Sequence, residues 1–383
     1  MRQNTVAGRR YCSSSYVFYS ILACVASVVT ALSGCSAANP YFDRLKTHHT
    51  PQGFKNNYSD NVVKPASAFL RWQYERLRDG LPPAPQSSTP VVTADIAFIQ
   101  ANAQNRTAMQ PAVTWIGHAT ALVQASGLNV LTDPIFSDRA APVQWLGPKR
   151  AHAPGVALGQ LPKIDVVLIS HNHYDHLNKD SVLALCQQAG GAPLFIVPLG
   201  LKAWMADLGI THVQELDWWG STQVGAVEFV LTPLQHWSAR GPGDRSQTLW
   251  GGWAVLGPDF HWYFSGDAGY SQDFADTQQR FADRHTAAQG GGFDLALIAV
   301  GAYEPRWFMK EQHLNPAESV QAHQDLKAKR SIGVHWGTFA LTDEPLDQPP
   351  KDLAAAKRAA QVSDEDFFLL AIGQTRKLPV RSK

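Results

Sequence analysis

From Pro111 onward the chain alternates short apolar runs with turn residues. The stretches 113–117 and 120–125 read as strands joined by a bend, and 128–132 as a third strand after Ser126-Gly127. Asp133-Pro134 ends that strand in an Asx-type turn. Asp165-Val-Val-Leu-Ile-Ser170 is short, apolar and β-branched, which predicts a buried strand rather than a helix. A helix is predicted at 179–189, with Asn178 or Asp180 as its cap. Further strands are predicted at 193–197, 227–231, 250–256, 261–264, 294–300, 331–335 and 367–372, and helices at 272–284, 316–329 and 351–360. Each of two blocks opens with strands and closes with strand–helix units. That order predicts an α+β fold, a four-layer αββα sandwich, over residues 111–383.

Residues 35–110 lack this regularity. They hold a polar, turn-rich segment at His48-His49-Thr-Pro-Gln-Gly-Phe54, a possible helix at 67–77 and a stiff Gly80-Leu-Pro-Pro-Ala-Pro85 stretch. We read them as an amino-terminal extension and linker wrapped on the main domain, with His48 and His49 as surface or packing residues. Ahead of them, Arg2, Arg9 and Arg10 precede an apolar run from Tyr16 to Leu32 that ends in Leu32-Ser33-Gly34-Cys35. A basic region, an apolar core and small residues before a cleavage point make residues 1–34 a secretory signal. The ending resembles a bacterial lipobox, which implies cleavage before Cys35 and lipidation of that residue. The alternative is an uncleaved anchor, but the run is shorter than the roughly 20 residues a spanning helix needs. Ser36 resembles the residue at this position in lipoproteins sent to an outer membrane. The expected location is therefore the bacterial envelope, lipid-anchored on the outer membrane and facing the periplasm.

Composition narrows the partners. Lys+Arg number 33 against 32 Asp+Glu, so no basic stripe supports nucleic-acid binding. Of 4 cysteines only Cys186 would remain unmodified in the mature chain, which excludes an internal disulfide there; its apolar helical setting marks it as a core residue. The 12 tryptophans serve mostly as core, with some placed to line an apolar cleft or a lipid interface.

The chemistry centres on His171-Asn-His-Tyr-Asp-His176, directly after the 165–170 strand. His171 and His173 are two apart, so an extended segment projects both to one face. Once the chain turns, Asp175 and His176 reach a second centre. Imidazoles plus a carboxylate suit two divalent ions of the Zn²⁺ type, and the lack of thiolates argues against a structural cysteine site. His236, Asp267 and His335 each follow a later apolar strand. Together they predict His171, His173 and His236 on a first ion, Asp175, His176 and His335 on a second, and Asp267 bridging both.

These motifs, with Trp115-Ile-Gly-His118-Ala-Thr and Leu131-Thr-Asp133-Pro, resemble the metallo-β-lactamase fold superfamily. A narrower resemblance is to the N-acylphosphatidylethanolamine-hydrolysing phospholipase D family. It is carried by Gln144-Trp-Leu-Gly-Pro-Lys-Arg150, Glu215-Leu-Asp-Trp-Trp219, Gly301-Ala-Tyr-Glu-Pro-Arg-Trp-Phe-Met-Lys310 and His335-Trp-Gly-Thr-Phe-Ala-Leu341. The resemblance spans residues 48–371 and implies a phospholipid substrate at a membrane surface. Water activated between the two ions would attack phosphorus and release N-acylethanolamine and phosphatidic acid. It also implies substrate contacts from Tyr174 and His313, with His313 assisting the leaving group and Gln144 as a further polar contact. Asp133 and His118 are expected to orient the metal ligands. Because many chemistries share this scaffold, a lactonase or β-lactamase activity, or a non-catalytic metal-binding envelope lipoprotein, are the alternatives.

Overall fold

The computed structural model describes residues 38–59 and 64–381, so the leader expected at 1–34 and Cys35 lie outside it. The chain from Asn39 onward is one folding unit. It begins with a hairpin, β1 (His49–Thr50) and β2 (Gly53–Phe54), followed by helices α1 (Ala66–Asp79) and α2 (Ile96–Gln104). A first block then runs β3 (Ala112–Gly117), β4 (Thr120–Ala125), β5 (Leu128–Thr132), β6 (Val166–Leu168), α3 (Lys179–Cys186), β7 (Leu194–Pro198), α4 (Leu201–Asp207) and β8 (Val213–Leu216). The second begins with β9 (Ser221–Val224), β10 (Val227–Thr232), β11 (Gly252–Leu256), β12 (His261–Phe264), α5 (Asp273–Arg280) and β13 (Leu295–Ala299). It ends with α6 (Arg306–Met309), α7 (Pro316–Asp325), β14 (Ser331–Val334), α8 (Gln348–Ala360) and β15 (Phe367–Phe368), before a last strand, β16 (Thr375–Lys377).

Two seven-stranded sheets result, ordered β16-β3-β4-β5-β6-β7-β8 and β9-β10-β11-β12-β13-β14-β15. Both follow the same rule. Antiparallel pairing joins β16 through β5 in the first sheet and β9 through β12 in the second. Parallel pairing joins the remainder. The helices between parallel strands are the crossovers such pairing requires. The α+β sandwich expected from the sequence is the observed architecture.

Strand periodicity explains why the first-block runs look uniformly apolar. Trp115, Val123, Val130 and Leu168 face the core between the sheets. Their neighbours Ile116, Leu122, Leu131 and Val167 face the other way, against Ile99 of α2, Val182 and Leu185 of α3 and Met205 of α4. On the second sheet Phe274 of α5, Val320 of α7 and Leu353 of α8 join the central core. Thus α2, from the irregular stretch, completes an outer helical layer.

Boundaries shift where local chemistry intervenes. The helix predicted at 272–284 breaks after Arg280 and resumes as a 3₁₀ turn at Ala282–Arg284, around the buried Phe281. The helix predicted from 351 starts three residues earlier, because Pro349 and Pro350 fit a first turn that needs no amide donors. Asn178, rather than Asp180, caps α3, accepting from the Ser181 amide at 2.9 Å.

The amino-terminal residues are pinned by polar contacts. Asp217, after β8, receives His48 Nε2 at 2.7 Å and His49 Nε2 at 3.0 Å, with Lys46 beside them. Trp72 of α1 donates to Asp343 Oδ2 at 2.9 Å.

Candidate metal centre

Six polar residues leave the carboxyl ends of strands that all point the same way: His118 after β3, Asp133 after β5, His171 after β6, His236 after β10, Asp267 after β12 and His335 after β14. A rigid sheet edge therefore brings together residues up to 217 positions apart (335 minus 118). The ligand atoms of His171, His173 and His236 lie within 4.8 Å of one another, as do those of His118, Asp175, His176 and His335 and those of Asp267, His313 and His335.

Hydrogen bonding fixes which ring nitrogen of each histidine keeps its lone pair. The Ser170 hydroxyl donates to Asp133 Oδ2 at 2.5 Å, so its oxygen accepts from His171 Nδ1 at 2.9 Å. His236 Nδ1 donates to the Gln312 carbonyl at 2.8 Å, and His176 Nδ1 to Asp133 Oδ2 at 2.6 Å. In all three the Nε2 atom is left as an acceptor. His171 Nε2 faces His173 Nδ1 at 2.8 Å, and His236 Nε2 faces the same atom at 3.4 Å. Three converging nitrogens, two of them fixed as acceptors, have one available proton at most. That arrangement calls for a cation.

The second group repeats the pattern with carboxylates. His176 Nε2 lies 3.2 Å from Asp267 Oδ2 and 3.4 Å from Asp175 Oδ2, and His335 Nε2 lies 3.1 Å from Asp267 Oδ1 and 3.3 Å from Asp175 Oδ2. Ligands about 2.0–2.2 Å from a tetrahedral zinc stand roughly 3.3 Å apart, so these spacings are those of a coordination shell. Asp267 Oδ2 is also 4.0 Å from His171 Nε2 and 3.9 Å from His236 Nε2, which places this carboxylate between the two groups. The donors thus form two neighbouring groups with Asp267 between them, a set of imidazoles and carboxylates that fits divalent metal binding.

Burial, reinforced by neighbouring imidazoles, keeps His171 well below the ordinary histidine value, and burial depresses His173 and His236 to about 3. Neutral imidazoles are the ligating form. Burial opposes ionisation of Asp175 and Asp267, but the surrounding imidazoles, His176 foremost, hold both well below the usual carboxylate range. His118 donates Nε2–H to Asp175 Oδ2 at 2.9 Å. It orients a ligand and has no lone pair there to give an ion.

Backbone strain accompanies this precision. His118, Asp133 and His335 take positive φ angles of 54°, 32° and 62°, a region that costs a side-chain-bearing residue energy. Gly266, at φ 55°, has no room for a Cβ, which would stand 2.4 Å from Ser170 Cβ. The missing side chain lets the β12 exit press against the β6 exit, so Asp267 and His171 share one site.

A cleft of about 470 Å³ opens onto the ligands. His173, Asp175, Asp267 and His313 form part of its lining, with Phe69 and Trp72 of α1, Phe308 and Met309 of α6, and Trp237. His313 Nδ1 is 3.8 Å from Asp267 Oδ2, and burial depresses this imidazole to about 3. Tyr174 also lines the cleft, but its hydroxyl donates to the Arg240 carbonyl at 2.8 Å and the Arg240 guanidinium covers its ring at 4.1 Å. Gln144 is not part of this cleft's lining. It sits on an exposed loop closed by an Arg139–Lys149 bridge, accepts from the Arg139 amide at 3.1 Å, and borders a separate shallow pocket with Ser137 and Asp138. Arg245, over the Trp237 ring at 3.8 Å, is a cleft cation that no motif marked.

Residues 128–336 match the family profile described as Beta-lactamase superfamily domain. The chain is 41% identical over 275 residues to a protein of Mycobacterium tuberculosis, covering 70% of each chain. It is 41% identical over 273 residues to N-acyl-phosphatidylethanolamine-hydrolyzing phospholipase D 1 of Caenorhabditis elegans, covering 68% of this chain and 74% of that one. Among solved structures, an isothiocyanate hydrolase from Delia radicum gut bacteria superposes with a TM-score of 0.53 at 17% identity, over 70% of this chain and 99% of that one. That last likeness concerns the fold alone.

Proposed function

Because the chain belongs to the β-lactamase superfamily, as a metal-dependent hydrolase of the metallo-β-lactamase fold, we propose that it is a phospholipase D-type phosphodiesterase. Its substrate is N-acylphosphatidylethanolamine or a related glycerophospholipid, and its products are N-acylethanolamine and phosphatidic acid. The observation that carries this reading is the mixed lining of the cleft. The candidate ligands His173, Asp175 and Asp267 share its lining with the apolar Phe69, Trp72, Phe308 and Met309. A small polar substrate has no use for that apolar part, whereas a diester with long acyl chains needs both.

Two divalent ions, zinc by the chemistry of the donors, would be held by His171, His173 and His236 and by Asp175, His176 and His335, with Asp267 shared. When bound they polarise the phosphoryl group and make water nucleophilic near neutral pH. Asp267 holds the two ligand sets in register, with its carboxylate oxygens 3.2 Å from His176 Nε2 and 3.1 Å from His335 Nε2. Arg245 and Lys64 place positive charge in the cleft, where a phosphodiester anion would lie. His313, kept neutral by burial, presents an imidazole beside Asp267. Its N–H is suited to hydrogen-bond a phosphoryl or leaving oxygen. The water oxygen joins phosphorus, the P–O bond to the ethanolamine side breaks, and the water proton ends on the departing alkoxide. An envelope location with Cys35 lipidated would keep the enzyme beside its substrate.

The test is to incubate ion-loaded protein with N-acylphosphatidylethanolamine in mixed micelles and identify products by mass spectrometry, with and without chelator. Chelator-sensitive release of N-acylethanolamine together with phosphatidic acid is the expected result. Intact lipid in the presence of both ions would overturn the substrate assignment and leave the hydrolase fold standing.

A further inference from the structure

Arg240 crosses from one block of the fold to the other. It lies on the loop between β10 and β11, shortly after His236, and is half-buried. Its guanidinium stands 4.1 Å over the ring of Tyr174 and 4.9 Å over that of Trp204 on α4, both in the first block. One terminal nitrogen, Nη1, donates to the Asn172 carbonyl at 2.8 Å and to the Leu177 carbonyl at 2.8 Å. Both carbonyls belong to buried residues between β6 and α3, outside the hydrogen-bond ladders of either. A buried carbonyl needs a donor, and here one cation serves two.

The two carbonyls bracket the ligand run. Between them lie His173, of the first ligand group, and Asp175 and His176, of the second. Inside the run the His173 carbonyl accepts from the His176 and Leu177 amides at 3.1 Å and 2.9 Å, which closes a single turn. A lone turn fixes many dihedrals for few bonds, and Arg240 ties its two ends to one point. The grip is itself braced. Tyr174, in the middle of the run, donates its hydroxyl to the Arg240 carbonyl at 2.8 Å, so each residue holds the other. Asp244 accepts from the Arg240 amide at 2.9 Å and 3.1 Å and from the Gly241 amide at 2.8 Å, fixing the backbone from which the guanidinium extends.

We infer that Arg240 is a positioning residue for the metal centre: by holding the carbonyls of Asn172 and Leu177 on one nitrogen, it sets the turn that aims His173 at one ion and Asp175 and His176 at the other. This rests on the two-ion reading of the centre and is indifferent to the substrate. The loop that carries Arg240 leaves from His236, so the guanidinium also couples that ligand to the run supplying His171 and His173. A planar guanidinium suits the task, because it stacks on two rings while its N–H bonds point outward in the plane to the carbonyls. A lysine ammonium, on a shorter stem, offers no such plane.

The test compares the full-length wild type with Arg240→Met, which keeps a stem between the two rings and removes the donors, and with Arg240→Lys, which keeps a charge on a shorter stem. Each protein is freed of metal and its melting temperature taken. Cobalt(II) is then titrated in against a competing chelator, and the visible spectrum of the bound ions, which reports ligand geometry, is recorded. Wild type should take up two ions per chain. Arg240→Met should bind them about tenfold to a hundredfold more weakly, with a changed spectrum, and Arg240→Lys should fall between the two. If the methionine variant does not fold, the lysine variant decides alone. Wild-type affinity and spectrum in the deciding variant overturn the inference even where its melting temperature falls, because that result leaves Arg240 a packing role only. A wild-type chain that takes up a single ion is a different failure: it overturns the two-ion reading, and the inference falls with it.

Discussion

Asn56 grips His236 by both of its backbone groups. Its Oδ1 accepts from the His236 amide at 2.9 Å and its Nδ2 donates to the His236 carbonyl at 3.0 Å, across 180 positions of sequence. Trp250 Nε1 reaches the same Oδ1 at 3.2 Å. A segment outside the paired strands thus fixes a residue of the first ligand set.

Replacing Asn56 with Ala should loosen that ligand and leave buried backbone groups without partners. The expected destabilisation is about 1–3 kcal/mol, with weaker retention of one ion. Thermal unfolding and metal analysis of the purified variant check both, and unchanged values would show that His236 needs no such brace.

The proposed chemistry requires Asp267 and His176. Asp267→Asn removes the charge shared by the two sets, and His176→Ala removes a nitrogen from the second. Each should lower turnover by more than about a hundredfold while far-ultraviolet circular dichroism stays native, since the site lies at a sheet edge. Metal content should fall from two ions per chain. Full activity in either variant would refute the shared-carboxylate arrangement.

Gly266→Ala is expected to be severe although it adds one methyl. The new Cβ would meet Ser170 at 2.4 Å, on a backbone with φ of 55°. Strain at such a position costs about 1–3 kcal/mol, and relief requires the β6 and β12 exits to separate. A drop in both melting temperature and ion affinity is the signature to measure.

Stability should also depend on acid through a pair remote from the ions. His285 Nε2 and His261 Nδ1 are 3.1 Å apart, and burial depresses the two residues to about 3 and about 4. The unfolded chain takes up these protons near pH 6.5, the folded chain only lower. The pair's contribution is therefore present above about pH 6.5 and is lost as pH falls towards 4. Urea unfolding at pH 7.5 and pH 5 should show a smaller pH-dependent loss in His285→Gln than in wild type.

The site was legible in the sequence where a polar ligand type directly follows an apolar strand. His236, Asp267 and His335 could be placed because β10, β12 and β14 are unmistakable runs, and the His171 motif because its spacing carries coordination chemistry. Other parts left no local mark. Strands β9 and β16 are polar edge strands, with Ser221-Thr-Gln-Val224 half exposed and Thr375-Arg-Lys377 without an apolar period. Asn56 and Arg245 act through folding that brings distant segments together. Gln144 lies in the loop bridged by Arg139 and Lys149, where its side chain accepts from the Arg139 amide.

Strand β16 carries a consequence for synthesis. Residues 375–377 pair with 112–114 of β3, the opposite extreme of the sandwich in chain order. While the ribosome is still delivering the second block, the outer side of β3 has every other partner made and this one missing. Its bare amides and carbonyls are a template for pairing with a neighbouring nascent chain. The first sheet is therefore completed only once residues 375–377 have been made, after the strands of the second sheet. The two halves mature as one event, and a chain cut short by a dozen residues would keep its ligands but leave its clasp open.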